Sequence, residues 1–177
     1  KIGGKFLDLL RSMYDNNTLS ILTSSGLLEP FTTTAGVLQG DNLSPHLFNL
    51  FINKTPSVLD ETCDRVTIGS DQSSMLLWCD DLVTFSQSSI GLQNSINKIA
   101  NHFSELGLAV NKKTTYVLKF NPRGLSLSDH PDHQFFIDNN KLDVVSEYLY
   151  LGLKVKSSGT LSFAANELYT KLSLIHI

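Results

Sequence analysis

Two adjacent carboxylates, Asp80 and Asp81, are the residues in this sequence best suited to chemistry. They separate two apolar runs, residues 75–79 and 82–85. Such flanks predict two buried strands joined by a tight acidic turn. Mg²⁺ prefers hard oxygen ligands, so a divalent cation would relieve the repulsion between the two carboxylates. Two such ions about 4 Å apart can activate an attacking oxygen and stabilise a leaving one. An ordinary hydrated turn is the alternative, because Asp is a common turn residue.

A loop with two glycines, Gly36 and Gly40, is the second candidate for chemistry. Gln39 lies beside Gly40, and the loop leads into a predicted helix with Ser44 as its N-cap and Pro45 in its first turn. Glycines let a backbone approach a ligand closely, and a helix N-terminus favours phosphate. Gln39 can hydrogen-bond to a nucleotide or pack beside it. A plain loop before a capped helix is the alternative, but it does not explain the full set of residues from Gly36 to Phe51.

The surrounding elements alternate between helical and strand patterns without regular β-α-β units. Apolar spacing predicts a first helix at residues 2–14, a second from Ser44 to near Pro56, and a third that Ser89 caps and Gly107 stops. Residues 60–74 are polar and predict a surface connection. The predicted strands are residues 19–23 and 27–34 as a hairpin, then 115–120, 134–137, 142–145 and 148–155, before a last helix from about residue 162. This order favours an α+β fold around an antiparallel sheet.

The bulk composition is that of one globular domain. The chain has 177 residues, of which 41% are hydrophobic and 18% charged, and its net charge is −3. An acidic balance argues against a strong, self-sufficient nucleic-acid binder. No apolar run approaches the roughly 20 residues of a membrane span, so we expect no membrane partner. Two cysteines are too few for a zinc site, and His130 and His133 have no cysteine partner.

Four motifs in order give the chain a family resemblance. Residues 36–53, GVLQGDNLSPHLFNLFIN, resemble the B motif of non-LTR (LINE-type) reverse transcriptases, of which group II intron enzymes have a looser version. Residues 75–85 occupy the place of the family's aromatic-x-Asp-Asp box. Residues 107–113, GLAVNKK, resemble the D motif, and residues 148–152, YLYLG, resemble the strand near the primer grip. The resemblance covers essentially the whole chain.

The resemblance implies the α+β palm subdomain of a right-hand polymerase, in which an antiparallel sheet with an acidic hairpin packs on helices. It predicts one partial palm and fingers domain, residues 1–177, with segments 1–59, 60–120 and 121–177. The implied activity is RNA-directed DNA polymerisation, a nucleotidyl transfer from dNTP to a primer 3′ hydroxyl. The implied roles are metal binding and catalysis for Asp80 and Asp81, catalysis for Lys113, nucleotide and template binding for Gly36, Gln39 and Gly40, and primer positioning for Tyr150, Leu151 and Gly152.

The resemblance also implies cofactors and partners. Mg²⁺ is the expected ion, with Mn²⁺ as its alternative, and the expected partners are an RNA template, a DNA primer, dNTP and the remainder of a parent polyprotein. Because such enzymes work at chromosomal DNA, nuclear access is expected. A polymerase palm gathers carboxylates to hold metal ions, so the acidic net charge hardly argues for or against this interpretation.

Three departures from the family pattern favour a second hypothesis. The metal-binding Asp of the family's A motif is expected upstream of Lys1, so the isolated chain is expected to be inactive. Trp78 and Cys79 replace the usual Tyr or Phe and small residue before the acidic pair. Thr114 stands where the D motif often has lysine, which leaves Lys113 as the nearest candidate and a solvated charge as its alternative. A catalytically dead palm remnant, at most a weak nucleic-acid-binding module, is the second hypothesis, and a group II intron or telomerase-like relative is a more remote one.

Overall fold

A computed structural model describes residues 3–15, 17–59, 64–120 and 134–159 of the chain. The chain forms two compact units, Lys1–Phe48 and Asn49–Ile177. Helices alternate with short, mostly antiparallel strand pairs, which agrees with the predicted α+β class. The division of residues 1–177 into three segments of one domain stays a prediction.

The first unit begins with helix α1, Lys5–Tyr14, and continues with a hairpin. Helix α1 ends because Asp15 adopts an extended conformation, with φ −69° and ψ 131°. The predicted hairpin is confirmed, although its ladder has two short parts that share one two-residue turn at Ser24 and Ser25. Its strands are β1 (Thr18–Leu19), β2 (Leu22–Thr23), β3 (Gly26–Leu27) and β4 (Phe31–Thr32), in which β1 pairs with β4 and β2 with β3.

Helix α2, Ser44–Phe51, follows the glycine loop and spans the boundary between the units. Ser44 is its first helical residue and not its N-cap, which corrects the prediction by one position. The carbonyl of Leu43 already accepts the N–H of Leu47 at 3.0 Å, so Leu43 precedes the first turn. Pro45 lies in that first turn, as predicted. A 3-10 helix, Thr55–Leu59, follows and contains Pro56.

Residues 66–73 form a hairpin where the sequence predicted only a polar connection. Strands β5, Val66–Ile68, and β6, Asp71–Ser73, pair across a two-residue turn. Gly69 occupies the first turn position with φ 65°, a conformation that glycine adopts without steric cost. The prediction was wrong because the run is short and mostly polar, so its alternation is weak. The next hairpin consists of β7, Met75–Trp78, and β8, Asp81–Thr84.

Helix α3, Ser89–Glu105, carries the apolar stripe that the spacing predicted. Its buried stripe includes Ile96 and Ile99. The N-cap is Ser88 and not Ser89, because Ser88 has an extended backbone and its Oγ accepts the N–H of Gly91 at 3.0 Å. Gly107 follows the helix with φ 73° and stops it, as predicted.

The main core lies between α3 and a three-stranded sheet with the order β10-β11-β9. Strand β9 is Tyr116–Leu118, β10 is Phe135–Ile137, and β11 is Asn140–Val145. Strands β10 and β11 are antiparallel, whereas β11 and β9 are parallel. The buried side chains of this core are Ile96, Val117, Phe135, Ile137 and Leu142.

Gln93 fixes α3 to the outer strand of this sheet through two hydrogen bonds. Its Nε2 donates to the carbonyl oxygen of Phe136 at 2.8 Å, and its Oε1 accepts the N–H of Phe136 at 2.9 Å. Both bonds are partly buried. Gln93 therefore satisfies the outward-facing backbone groups of β10.

The last described strands form a hairpin where one strand was predicted. Strands β12, Glu147–Tyr150, and β13, Leu153–Lys156, pair antiparallel across Leu151 and Gly152. The predicted single strand, residues 148–155, was wrong because Leu151 (φ 47°) and Gly152 (φ 81°) both adopt the left-handed conformation of a tight turn. The predicted helix from residue 162 lies outside the described residues. Within the part of the chain that the structure describes, no helix is long and apolar enough to cross a membrane.

Removing side-chain volume from this core should lower the free energy of unfolding. Leu142 is 1% exposed, so Leu142→Ala leaves a cavity and should cost about 2–5 kcal/mol. Leu149 is 54% exposed, so Leu149→Ala is a matched control that should change stability by less than about 0.5 kcal/mol. Urea unfolding curves measure both values, and equal effects of the two substitutions would contradict the position of the core.

Candidate functional site

The acidic pair lies at the tip of the β7–β8 hairpin. Cys79 and Asp80 are the two turn residues, and Asp81 begins β8 opposite Trp78. Both carboxylates are exposed, and neither forms an ion pair with another described residue. The tight acidic turn is therefore confirmed. The flanking strands are not buried, however, because Leu76 and Trp78 point outward from one face of a two-stranded ladder.

A side chain of helix α2 supports this turn. The Oδ1 atom of Asn49 accepts a hydrogen bond from the backbone N–H of Cys79 at 2.8 Å. Cys79 has φ 52°, in the left-handed region that a residue with a Cβ atom rarely adopts. The acidic turn thus combines an unusual backbone conformation with a contact from a residue 30 positions earlier in the chain.

Tyr150, one of the three predicted primer-grip residues, lies within electrostatic range of the acidic hairpin. Burial raises the pKa of the Tyr150 hydroxyl above 10.0, and the negative charge of Asp81 raises this pKa further. Leu151 and Gly152 form the turn of the β12–β13 hairpin, directly after Tyr150. The structure therefore brings one end of this hairpin into the electrostatic range of Asp81.

Three side-chain contacts support the β12–β13 hairpin. The carboxylate oxygens of Glu147 lie 3.6 Å from the Nζ of Lys154 and 3.8 Å from the Nζ of Lys156 on the paired strand. The ring of Tyr148 packs against the ring of Tyr116, with centroids 5.8 Å apart. Such aromatic pairs stabilise by about 0.5–1.5 kcal/mol beyond the area they bury. The Tyr148–Tyr116 contact joins the strand that carries Tyr150 to β9 of the core sheet.

The glycine loop lies in the other compact unit and exposes all three of its predicted binding residues. Gly36 has φ 95° and Gly40 has φ 87°, and no atom lies within 4 Å of a Cβ built on either one. The carbonyl of Leu38 accepts the N–H of Asp41 at 3.4 Å, so Gln39 and Gly40 are the central residues of a turn. This geometry leaves the loop backbone open to a ligand.

Asp41 anchors the glycine loop within this unit. Its Oδ2 accepts hydrogen bonds from the hydroxyls of Tyr14 at 2.8 Å and Ser44 at 3.4 Å. The Tyr14 hydrogen bond, followed by that from the backbone N–H of Leu43, lowers the pKa of Asp41 below 3.8. The first residue after Gly40 is therefore a charged acceptor that joins helix α1 to the start of helix α2.

The D-motif lysines have different surroundings. Lys112 pairs with Asp138 at 2.6 Å. Lys113 follows in an exposed turn, where the Oδ1 of Asn111 accepts its backbone N–H at 3.1 Å. Among the described residues, the Lys113 ammonium has no ion-pair partner. The structure thus leaves Lys113 accessible, as a group that acts on a substrate requires, but its predicted catalytic role stays a prediction.

Asp80 and Asp81 fit a divalent cation as part of a larger ligand set. Their oxygens are hard ligands, both side chains are exposed, and no described cation competes for them. Residues 3–15, 17–59, 64–120 and 134–159 contain no cluster of three or more His, Cys, Asp or Glu side chains arranged for a metal. A cation at this pair would complete its coordination with other oxygen ligands, such as substrate phosphates and water. His130 and His133 lie outside the described residues.

Sequence reasoning missed two residues that hold the site, Asn49 and Asp41. Asn49 interrupts the apolar run of residues 47–52. A single polar residue within such a run is the signal by which Asn49 could have been found. Asp41 follows Gly40 directly, but its acceptor role depends on Tyr14, which is 27 positions away. Contacts at such separations cannot be read from a single sequence.

Comparisons with known proteins agree with the motif order. The reverse transcriptase (RNA-dependent DNA polymerase) family matches residues 3–155. The chain is 27% identical over 159 residues to a retrovirus-related Pol polyprotein from the type-2 retrotransposable element R2DM of Drosophila melanogaster. Over 118 and 138 residues, it is 29% and 28% identical to Pol polyproteins from type-1 retrotransposable elements R2 of Bradysia coprophila and Nasonia vitripennis.

The chain corresponds to a small part of these relatives. The three matches cover 87%, 67% and 74% of this chain but only 15%, 13% and 13% of the polyproteins. The similarity is therefore that of one module within much longer proteins.

The position of Tyr150 beside Asp81 predicts a coupled change in pKa. Asp81→Asn removes a negative charge that disfavours the tyrosinate, so the pKa of Tyr150 should fall. It should stay above 10.0, because the larger cause, burial, remains. Titration of the ring ¹³Cζ shift in labelled protein measures the change. Asp71→Asn is the matched control, since Asp71 begins β6 at the same hairpin position and should leave Tyr150 unaffected.

The Tyr14–Asp41 hydrogen bond predicts how stability depends on pH in the acid range. Tyr14→Phe removes the donor that favours the charged carboxylate, so the pKa of Asp41 should rise toward 3.8. A lowered pKa contributes stability above the unfolded-state value, and this contribution is lost as pH falls through the folded-state value. Tyr14→Phe should therefore reduce the loss of stability below about pH 4. A titration of the Asp41 ¹³Cγ shift tests this, with Tyr116→Phe as control.

Proposed function

The chain belongs to the reverse transcriptase (RNA-dependent DNA polymerase) family, as a module of non-LTR type, and we propose that Asp80 and Asp81 supply carboxylates to its catalytic metal site. The observation that carries this proposal is the acidic turn of the β7–β8 hairpin, which presents two exposed carboxylates at one tip. Reverse transcriptases generally require divalent metal ions, and Mg²⁺ is the proposed ion, with Mn²⁺ as its alternative.

The proposed reaction is a nucleotidyl transfer. The 3′ oxygen of a DNA primer attacks the α-phosphorus of a dNTP, the new P–O bond forms, and the bond to the pyrophosphate oxygen breaks. The hydroxyl proton passes to water, and pyrophosphate leaves. A divalent ion held by Asp80 and Asp81 would lower the charge on the reacting phosphate and favour the ionised 3′ oxygen. An RNA template and a DNA primer are the proposed partners, together with the remainder of a parent polyprotein.

The glycine loop is the proposed contact for the nucleotide and template. Gly36 and Gly40 have no side chains to exclude a ligand, and their left-handed conformations present backbone groups at an exposed turn. Gln39 lies at that turn, where its amide can donate to and accept from a base or sugar. The bond from Tyr14 to Asp41 limits the movement of the loop and thereby supports this role.

The β12–β13 turn is the proposed contact for the primer. Tyr150 carries a hydroxyl that can donate to a phosphate, since a tyrosine keeps its proton at neutral pH. Leu151 and Gly152 form the exposed turn that follows Tyr150. Proximity to Asp81 supports the role, since a primer terminus must lie beside the metal ligands.

Lys113 is proposed to act on the leaving group. Its ammonium is exposed and can neutralise or protonate pyrophosphate as the P–O bond breaks. Lys112 is a poorer candidate, because its Nζ already pairs with Asp138. Nuclear access to chromosomal DNA stays a prediction.

Loss of one proposed metal ligand should abolish primer extension. In the protein expressed from the complete open reading frame, Asp80→Asn should lower template-directed extension at least about 100-fold, because changes beside metal ligands alone cost about 10–100-fold. Asp71→Asn, an exposed Asp at another hairpin turn, should retain activity. Incorporation of labelled dNTP on an RNA template measures both, and melting temperatures verify the fold.

Two results would count against this proposal. Extension by Asp80→Asn at the unsubstituted rate would refute the ligand assignment. Binding of primer and template without any extension by the unsubstituted protein would favour the second hypothesis, a palm remnant that binds nucleic acid weakly.

A further inference from the structure

We propose that Asn49 is a positioning residue, which holds the acidic turn in the conformation that directs Asp80 and Asp81 toward a metal ion. The inference rests on the proposed function of these two carboxylates. It adds a residue of helix α2 that makes no direct contact with the reacting groups, and it assigns that residue a defined task through one hydrogen bond to Cys79.

The turn has a backbone donor that its own hairpin cannot satisfy. In a two-residue turn, the ladder bonds join the flanking residues, here Trp78 and Asp81, and the N–H of the first turn residue points away from the ladder. That donor is the N–H of Cys79, and the amide oxygen of Asn49 accepts it at 2.8 Å. The bond is partly buried, so water replaces it less easily than at an open surface.

The same residue has the backbone conformation that most needs support. Cys79 has φ 52°, and side chains other than those of Asn and Asp are uncommon in this region. Two other two-residue turns have a non-glycine first residue with positive φ, Asp138 with φ 51° and Leu151 with φ 47°. Asp138 suits that conformation by residue type, and Leu151 is followed by glycine. Cys79 has neither advantage.

Support from a distant side chain distinguishes the acidic turn from these two. Among the described residues, no side chain accepts the backbone N–H of Asp138 or Leu151. Asn49 provides that acceptor only at the turn that carries the carboxylates. Because Asp80 follows Cys79 directly, the φ and ψ angles of Cys79 set the direction in which the Asp80 carboxylate leaves the hairpin.

The acceptor is also held rigidly. Asn49 lies on helix α2, between Phe48 and Leu50, and its side chain is half buried. A short side chain on a helix has few rotamers, so its oxygen occupies a defined position. Leucine has the same branching at Cγ without an acceptor, and aspartate keeps an acceptor oxygen in the same place. These two substitutions separate the hydrogen bond from packing.

The test compares Asn49→Leu and Asn49→Asp in the protein expressed from the complete open reading frame. Hydrogen exchange at the Cys79 amide, measured by mass spectrometry with residue-level fragmentation and without metal, should be about 10-fold faster in Asn49→Leu and unchanged in Asn49→Asp. The Mg²⁺ concentration for half-maximal primer extension should rise about 10-fold in Asn49→Leu and should not rise in Asn49→Asp. Asn97→Leu is the matched control, because Asn97 lies on α3 and accepts only a surface bond from Gln93.

The results separate this inference from the proposed function. Unchanged Cys79 exchange and Mg²⁺ dependence in Asn49→Leu, with extension still abolished by Asp80→Asn, would overturn the positioning role alone. Faster exchange with an unchanged Mg²⁺ requirement would also overturn it, since the turn would then have no effect on the ion. Normal extension by Asp80→Asn would instead refute the proposed function. If Asn49→Leu fails to fold, equal exchange in Asn49→Ala and Asn49→Asp at the Cys79 amide would overturn the role.

Discussion

Exposure of two neighbouring carboxylates at one hairpin tip is the constraint on which the candidate site depends. Asp80 and Asp81 are adjacent at a hairpin tip, where water screens their charges and no described cation pairs with them. A tip that stays open to solvent cannot also be packed into a core, so its shape depends on few contacts. The bond from Asn49 to Cys79 and the ladder between Trp78 and Asp81 provide that shape, and neither carboxylate has an ion-pair partner among the described residues.

The glycine loop differs from the acidic turn, because its carboxylate is hydrogen-bonded within the protein. Asp41 is fully engaged, since its carboxylate accepts hydroxyl donors from Tyr14 and Ser44, and these bonds favour its charged form. Its charge anchors the loop. Gly36 and Gly40 remain exposed beside it and contribute only backbone. Each unit therefore contains both a charged group and an open turn, but the charge is structural in the first unit and available to a ligand in the second.

The sequence predicted those features that depend on neighbouring residues. The apolar stripe of α3, the stop at Gly107 and the acidic turn follow from spacing and residue type, and all three are confirmed. The cap of α3 was misplaced by one residue, because Ser88 and Ser89 are equally suitable by type and only the backbone angles distinguish them. The β12–β13 turn was missed since leucine is not a usual turn residue.

The contacts that were never predicted join distant positions. The Asn49–Cys79 and Tyr14–Asp41 bonds join residues 30 and 27 positions apart, and no local pattern encodes such pairs. The predicted roles of Gln39, Lys113 and Tyr150 depend in turn on ligands. Their positions follow from the motifs, but a role depends on where a bound primer, template or nucleotide lies.

The double hydrogen bond from Gln93 has a consequence for how the protein behaves at high concentration. Strand β10 is the outer strand of its sheet, and an outer strand with free backbone groups can pair with the same strand of another molecule. Phe136 is the middle residue of β10, and Gln93 occupies both its N–H and its carbonyl. Within the described residues, one glutamine side chain thereby occupies both backbone groups through which Phe136 could pair with a further strand.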